Sequence, residues 1–153
     1  MNANKHENDL KRYIEFWEAL KPQTIDHLDS ITVDDLYFSD PFRTFDTRAS
    51  VKRYLRKMYD LVDNPAFRIT MNAWALSREP FPKDTDGIAF IKWEYSYSHR
   101  GESAIRTIIG LSEIHLSRDG KIMRHIDHWD AAENIYEKIP FLGGLLRLVK
   151  KRI

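Results

Sequence analysis

The sequence contains no cysteine. Disulfides, thiolate nucleophiles and cysteine-based zinc sites are therefore excluded. It also lacks an excess of charge: 24 Lys and Arg against 23 Asp and Glu leave a formal net charge of +1. A dedicated nucleic-acid binder usually carries a strong basic surplus, so no nucleic-acid partner is expected. No apolar run approaches the roughly 20 residues a membrane helix needs, so no integral membrane segment is expected either. Residues 1–10 are polar and show no secretory leader pattern, which makes a cytoplasmic location the expectation. Glycine and proline are scarce at six each, and no internal repeat occurs. What is there is 42% hydrophobic and 31% charged residues over 153 positions. That make-up and length suit one globular domain, 1-153, with a core of its own.

Leu10, Tyr13, Ile14, Phe16, Trp17 and Leu20 recur at helical spacing and predict a first helix over 9–20, ended by Pro22. Thr24 is placed to cap a short second helix carrying Ile25, Leu28 and Ile31. Residues 34–38 read as a short extended piece halted by Asp40-Pro41, and 49–62 as a third helix broken by Asn64-Pro65. Four runs rich in β-branched and aromatic residues follow, at 67–76, 88–97, 104–116 and 122–130. Short turn segments separate them, which predicts an antiparallel meander. Residues 131–153 return to helix as a C-terminal tail, with Asp130 and Glu133 at capping-box spacing and an interruption at Gly143-Gly144. The tail is amphipathic and basic; it packs on the domain, closes a pocket as a lid, or lies on an anionic membrane surface. Helices first and an antiparallel sheet after give an α+β fold with room for a pocket between the two layers.

Asp119-Gly120 is the strongest hairpin signal and favours a two-residue turn. In that register Ser112 faces Asp127, Gly110 faces Trp129 and Ile114 faces His125. One face then collects Arg106, Ile108, Gly110, Ser112 and Ile114 with Met123, His125, Asp127 and Trp129. A three-residue loop would reverse the grouping. On strand 88–97, Ala89, Ile91, Trp93, Tyr95 and Tyr97 share a side, assigned to the helices.

Three segments carry a resemblance. They are Lys11-Arg12-Tyr13-Ile14, then Leu36-Tyr37-Phe38-Ser39-Asp40-Pro41, then Gly110-Leu111-Ser112-Glu113-Ile114 through Asp119-Gly120-Lys121-Ile122 to Asp127-His128-Trp129-Asp130. In them and in element order the chain resembles the nuclear transport factor 2-like superfamily, which includes ketosteroid isomerases, limonene epoxide hydrolases and SnoaL-like polyketide cyclases. The resemblance implies a curved antiparallel sheet wrapped into a cone, with the N-terminal helices packed on its concave face around an apolar pocket. It also implies a homodimer through the outer sheet face. In ketosteroid isomerases an Asp before a Pro is the general base, and Asp40 stands there. A Tyr of the first helix donates to the oxyanion, and Tyr13 resembles it. The second donor of that site, a protonated Asp, is replaced here by Ser112. SnoaL-like cyclases and epoxide hydrolases use an acid on a late strand, for which Asp127 is the candidate.

Each candidate has a plainer reading beside it. Asp40 and Asp127 divide acid and base work in an aromatic pocket, or Asp40 caps its turn and Asp127 pairs with an arginine. His125 and Arg106 join Asp127 to hold an enolate or activate water, or the three satisfy one another in a buried network. Trp17, Trp93, Tyr95 and Trp129 line a cavity or pack as ordinary core, with Gly110 leaving volume opposite Trp129. Glu113, His115 and His128 belong to a dimer contact or to a solvated sheet face. His125 and His128 point to opposite faces of their strand, which argues against a metal. The expected activity is cofactor-independent acid–base chemistry on a small hydrophobic carbonyl or epoxide compound: isomerisation, cyclisation or hydrolysis. Asp40 or Asp127 would take the proton, and Tyr13 and Ser112 would donate to developing charge. A non-catalytic ligand-binding or interaction module is the alternative.

Overall fold

The computed structural model of the chain describes residues 3–131. The C-terminal helical tail, with Glu133 and Gly143-Gly144, falls outside them. Helix α1, Glu7–Glu18, turns Leu10, Tyr13, Phe16 and Trp17 inward, as their i, i+3, i+4 spacing requires. Its start is pinned to the sheet by polar bonds, His6 Nε2 to Asp86 at 2.8 Å and Trp74 Nε1 donating to Glu7 at 2.9 Å. A 3-10 turn, Ile25–His27, leads into the short helix α2, Leu28–Ile31. Thr24 does not cap this turn; its hydroxyl bonds backward to the Ala19 and Lys21 carbonyls. Helix α3, Arg48–Leu61, is capped by Thr47, whose side chain accepts from the Ser50 amide.

The strands are β1 (Thr32–Ser39), β2 (Thr44–Phe45), β3 (Val62–Trp74), β4 (Thr85–His99), β5 (Arg106–Ser117) and β6 (Ile122–His128). They form one sheet in the order β2-β1-β6-β5-β4-β3. The meander β3 to β6 is antiparallel as the short connections demand, but β1 lies parallel to β6, joined to it through most of the chain. The piece halted by Asp40-Pro41 is therefore part of a full strand, second from the edge of the sheet, and β2 is a short edge beside it. Asn64-Pro65 does not end an element. It sits inside β3, at an edge where proline costs no ladder bond, with Asn64 at φ 51 and a register shift between Asp63 and Ala66. Shifts of this kind recur in β1–β6, β4–β5 and β5–β6. Bulges bend the strands that carry them, and the sheet is correspondingly curved and unclosed.

The β5–β6 hairpin corrects the expected turn. The Ser117 amide bonds the Lys121 carbonyl and the Gly120 amide bonds the Ser117 carbonyl, so the loop is the three residues Arg118, Asp119 and Gly120. Gly120 sits at φ +75, the left-handed position that closes such a loop. This would have reversed the faces, and near the turn it does: Leu116 pairs with Ile122, and Ile122 rather than Met123 goes inside, fully buried. A bulge between that pair and His115–Arg124 then takes up one residue on β6. Beyond it Ile114 faces His125 and Ser112 faces Asp127, as the two-residue turn predicts.

The core lies between the concave face and the helices: Tyr13, Trp17, Leu28, Leu36, Phe38, Leu55, Ile91 and Ile114 belong to one buried cluster. A Cβ on Gly120 would strike the Asp9 carboxylate of α1, whereas one on Gly101, at φ +76, would meet nothing within 4 Å. Both glycines hold a left-handed backbone, which costs an alanine about 1–2 kcal/mol. Gly120→Ala is expected to lower the melting temperature by several degrees and by more than Gly101→Ala does. Thermal unfolding of the two variants side by side checks this, and equal losses would show that the α1 contact carries no weight.

Candidate active site

Strands β5 and β6 place Ser112, His125 and Asp127 on the concave face, and α1 lays Tyr13 over them. The four side chains form one hydrogen-bonded chain. Trp93 Nε1 donates to Ser112 Oγ at 2.7 Å, and Ser112 Oγ donates to Asp127 Oδ1 at 2.5 Å. From the other side His125 Nε2 lies 2.7 Å from the same Oδ1, and His125 Nδ1 lies 2.7 Å from the Tyr13 hydroxyl. The partners assign the protons. An indole N–H can only donate, so the Ser112 proton must point at Asp127. A carboxylate only accepts, so His125 carries its proton on Nε2 and takes the Tyr13 proton on Nδ1. Burial raises the Tyr13 pKa well above its ordinary value; the neighbouring Trp17 N–H offsets part of this and Asp127 adds to it. Tyr13 is thus held as a phenol, a donor. The Trp17 N–H is a buried donor without a partner among the described residues.

His125, 4% exposed, is fixed by rings on several sides. Phe38 of β1 stacks on it at 4.7 Å, Trp17 lies at 5.2 Å and Tyr13 at 5.9 Å. Phe38 reaches it because β1 runs beside β6, where Phe38 and His125 are register partners.

Two hollows adjoin Asp127. The inner one, about 20 Å³, is lined by Ser112, His125 and Asp127 together with Trp17, Phe67 and Trp93. It has room for one water molecule or one substrate oxygen, since a water needs on the order of 10–15 Å³ by the same measure. The outer one, about 110 Å³, shares Trp17, Phe67, Trp93 and Asp127 with the inner and adds Tyr95, Trp129, Tyr54 and Asp40. No described residue hydrogen-bonds Asp127 Oδ2.

Asp40 caps its turn and also lines the outer hollow. Its Oδ1 accepts from the Phe42 and Arg43 amides at 2.7 and 2.8 Å, fixing the turn after Pro41. Its Oδ2 accepts from the Tyr54 hydroxyl at 2.7 Å, at the wall of the outer hollow. Tyr54 is absent from the sequence candidates because it reads as an ordinary apolar-face residue of the helix predicted over 49–62. Phe38 and Phe67 were missed for the same reason, as strand residues with no polar atom to draw notice.

Three expectations are corrected. Arg106 shares the inner face but lies roughly 20 Å along the strand from Ser112 at ~3.3 Å per residue, and its guanidinium bonds Glu102 at 3.0 Å. Gly110 leaves no volume: its register partner Trp93 lays its indole over the site a Cβ would fill. It has no partner in β6, which ends at His128, while Trp129 packs by Trp93, Tyr97 and Ile108 and meets Phe42 edge-on at 5.3 Å. Finally, Tyr13 and Ser112 spend their protons on His125 and Asp127 rather than on the cavity. On the outer face His115 is buried and bonds Glu113, while His128 is exposed. Among the described residues no three His, Asp or Glu side chains converge closely enough to hold a metal ion. No helix of the described residues is long and apolar enough to cross a membrane.

No family model matches the sequence, and no curated protein matches it. Solved structures do. An NTF2-like protein of unknown function from Exiguobacterium sp. 255-15 superposes with a TM-score of 0.63 at 18% identity, covering 80% of this chain and 98% of that one. A hypothetical protein with a ketosteroid isomerase-like fold from Catenulispora acidiphila, in complex with trimethylamine, gives 0.63 at 13% identity over 84% and 90% of the two chains. An LEH-like epoxide hydrolase from M. tuberculosis gives 0.62 at 13% identity over 96% and 93%. At these identities the likeness speaks of architecture alone: the chain has the nuclear transport factor 2-like, ketosteroid isomerase-like fold.

Proposed function

We propose that the protein is an acid–base enzyme of the isomerase, cyclase or hydrolase type, acting without a cofactor on a small hydrophobic carbonyl or epoxide compound, with Asp127 as the proton acceptor. One observation carries this reading. Asp127 lines an aromatic cavity and has one oxygen anchored by two donors, the other having no hydrogen bond among the described residues. Two directed hydrogen bonds fix the carboxylate's rotamer, so Oδ2 is aimed without further ordering cost. A proton taken from a carbon next to a carbonyl would rest on Oδ2 and be returned from there to a second carbon, giving isomerisation. A water in the inner hollow would deliver its proton to the same carboxylate and its oxygen to an electrophilic carbon, and the proton would then pass from the carboxyl group to the carbonyl oxygen or to the oxygen of the broken epoxide C–O bond, giving hydration or epoxide opening. His125 positions the base and spreads its charge towards Tyr13. Tyr95, a phenol kept protonated mainly by burial, is a hydroxyl on the cavity wall able to meet a substrate oxygen, whereas Tyr54 gives its proton to Asp40. The trimethylamine complex of the Catenulispora protein supports reading the cavity as a small-molecule site. The outer face, where Ile109 is 55% and Leu111 37% exposed, supports a homodimer contact.

Asp127→Asn keeps an acceptor for Ser112 and His125 but cannot hold the proton. Hydrogen–deuterium exchange next to the carbonyl of hydrophobic ketones, followed by NMR in D2O, is expected to be accelerated by the wild type. The variant should lose about 10²–10⁴ of that acceleration; unchanged exchange would end the proposal. The phenols give a second measurement. Their folded pKa values lie above the unfolded value of 10.0, so the stability they contribute is whole below pH 10 and falls as the pH rises beyond it. Absorbance titration should therefore show Tyr13, Tyr54 and Tyr95 ionising only with alkaline unfolding, and ionisation of all seven tyrosines near pH 10 in the folded protein would contradict their burial. Sedimentation equilibrium at micromolar concentration should give a dimer, shifted towards monomer by Leu111→Glu; a wild-type monomer would refute the contact.

A further inference from the structure

The outer cavity has an unusual balance of charge for a site meant for neutral, oily compounds. Two carboxylates, Asp40 and Asp127, line it, and no lysine or arginine among the described residues does. Arg43 and Lys57 line a separate surface hollow that shares only Tyr54 and Met58 with it. The guanidinium of Arg43 stands over the Tyr54 ring, 5.7 Å from its centre.

The remaining wall is largely aromatic, with Leu55, Met58 and Ile108 among the rings, and the rings are not stacked into one slab. Around Phe67, Trp17 lies at 5.0 Å with planes inclined by 67°, and Trp93 at 6.1 Å with 74°. Tyr95 continues the wall, nearly parallel to Phe67 at 4.6 Å. Rings inclined in this way turn faces as well as edges to an enclosed space. A ring face is the negative end of its quadrupole, and several faces beside a carboxylate attract a cation strongly once water is excluded. Two carboxylates at one hollow walled mostly by apolar side chains repel each other, and an anionic or strongly electron-rich guest would add to that repulsion. A positive guest removes it.

We propose that the ligand of this cavity carries a positively charged amine, a small tertiary or quaternary ammonium group seated between the aromatic wall and the two carboxylates. This rests on reading the cavity as the substrate site and deepens it: the reacting carbonyl or epoxide carbon would stand at Asp127 Oδ2 with the ammonium group farther out, towards Trp129 and Asp40. The cavity volume of about 110 Å³ admits a compact cation of this kind.

The test compares choline with 3,3-dimethylbutan-1-ol, which has the same shape without the charge. Binding to the full-length protein is followed by tryptophan fluorescence and calorimetry at fixed ionic strength. Choline is expected to bind at least tenfold more tightly than the alcohol. Asp127→Asn and Trp129→Leu, each confirmed folded by its melting curve, should each cut that preference severalfold. Equal binding, tighter binding of the alcohol, or a preference untouched by both substitutions would overturn the proposal. The ketone exchange measurement uses neutral compounds, so the two readings fail separately. Choline selectivity without exchange would leave the ligand class standing and remove the catalyst. Exchange without choline selectivity would do the reverse.

Discussion

Asp127 Oδ1 accepts hydrogen bonds from two directions, and the rest of the site is arranged to supply them. One arm comes through Ser112 from Trp93, the other through His125 from Tyr13. A buried polar group left unpaired costs about 1–3 kcal/mol, so each member of the chain requires the next. Each arm draws on groups that can donate but are poor at losing their protons: an indole at one end, a buried phenol at the other. Polarity therefore runs one way, towards the carboxylate, whose second oxygen has no hydrogen bond among the described residues.

That arrangement needs both layers of the fold at once. The sheet supplies Trp93, Ser112, His125 and Asp127 from three neighbouring strands, and α1 supplies Tyr13. The apolar stripe of α1 lodges it over the concave face, which positions the phenol on the imidazole. Phe38, delivered by the parallel strand β1, stacks on the other side of that ring. A histidine so enclosed has little freedom to turn, and neither has the carboxylate it holds. The opposite wall is tied down separately, with Asp40 bonding its own turn and the Tyr54 hydroxyl.

Part of this is legible in the chain. Alternation along a strand places His125 with Asp127 and Trp93 with Tyr95, because a strand's side chains must alternate. The Ser112–Asp127 pairing came out right through two departures that cancel, a three-residue loop where two residues are signalled and a bulge that takes the register back. Neither leaves a mark in residue type strong enough to read, since a turn of either length accepts Asp-Gly. Arg106 shows the opposite failure: parity gives the face but says nothing of distance along it. Gly110 shows another. A missing side chain was read as space, but its neighbour across the strands is large enough to cover it.

The sequence by itself determined the order of helices and strands, the apolar faces they bury, and the presence of two carboxylates among many aromatic rings. These follow from periodicity and turn chemistry, which act between residues a few positions apart. Only the tertiary structure decided that Tyr13 bonds His125, that Tyr54 bonds Asp40, and that Phe38 lies on the imidazole. Those contacts join residues far apart in the chain, and they exist because the curved sheet and the helices fill one shared interior in which most buried polar atoms must find partners across the two layers.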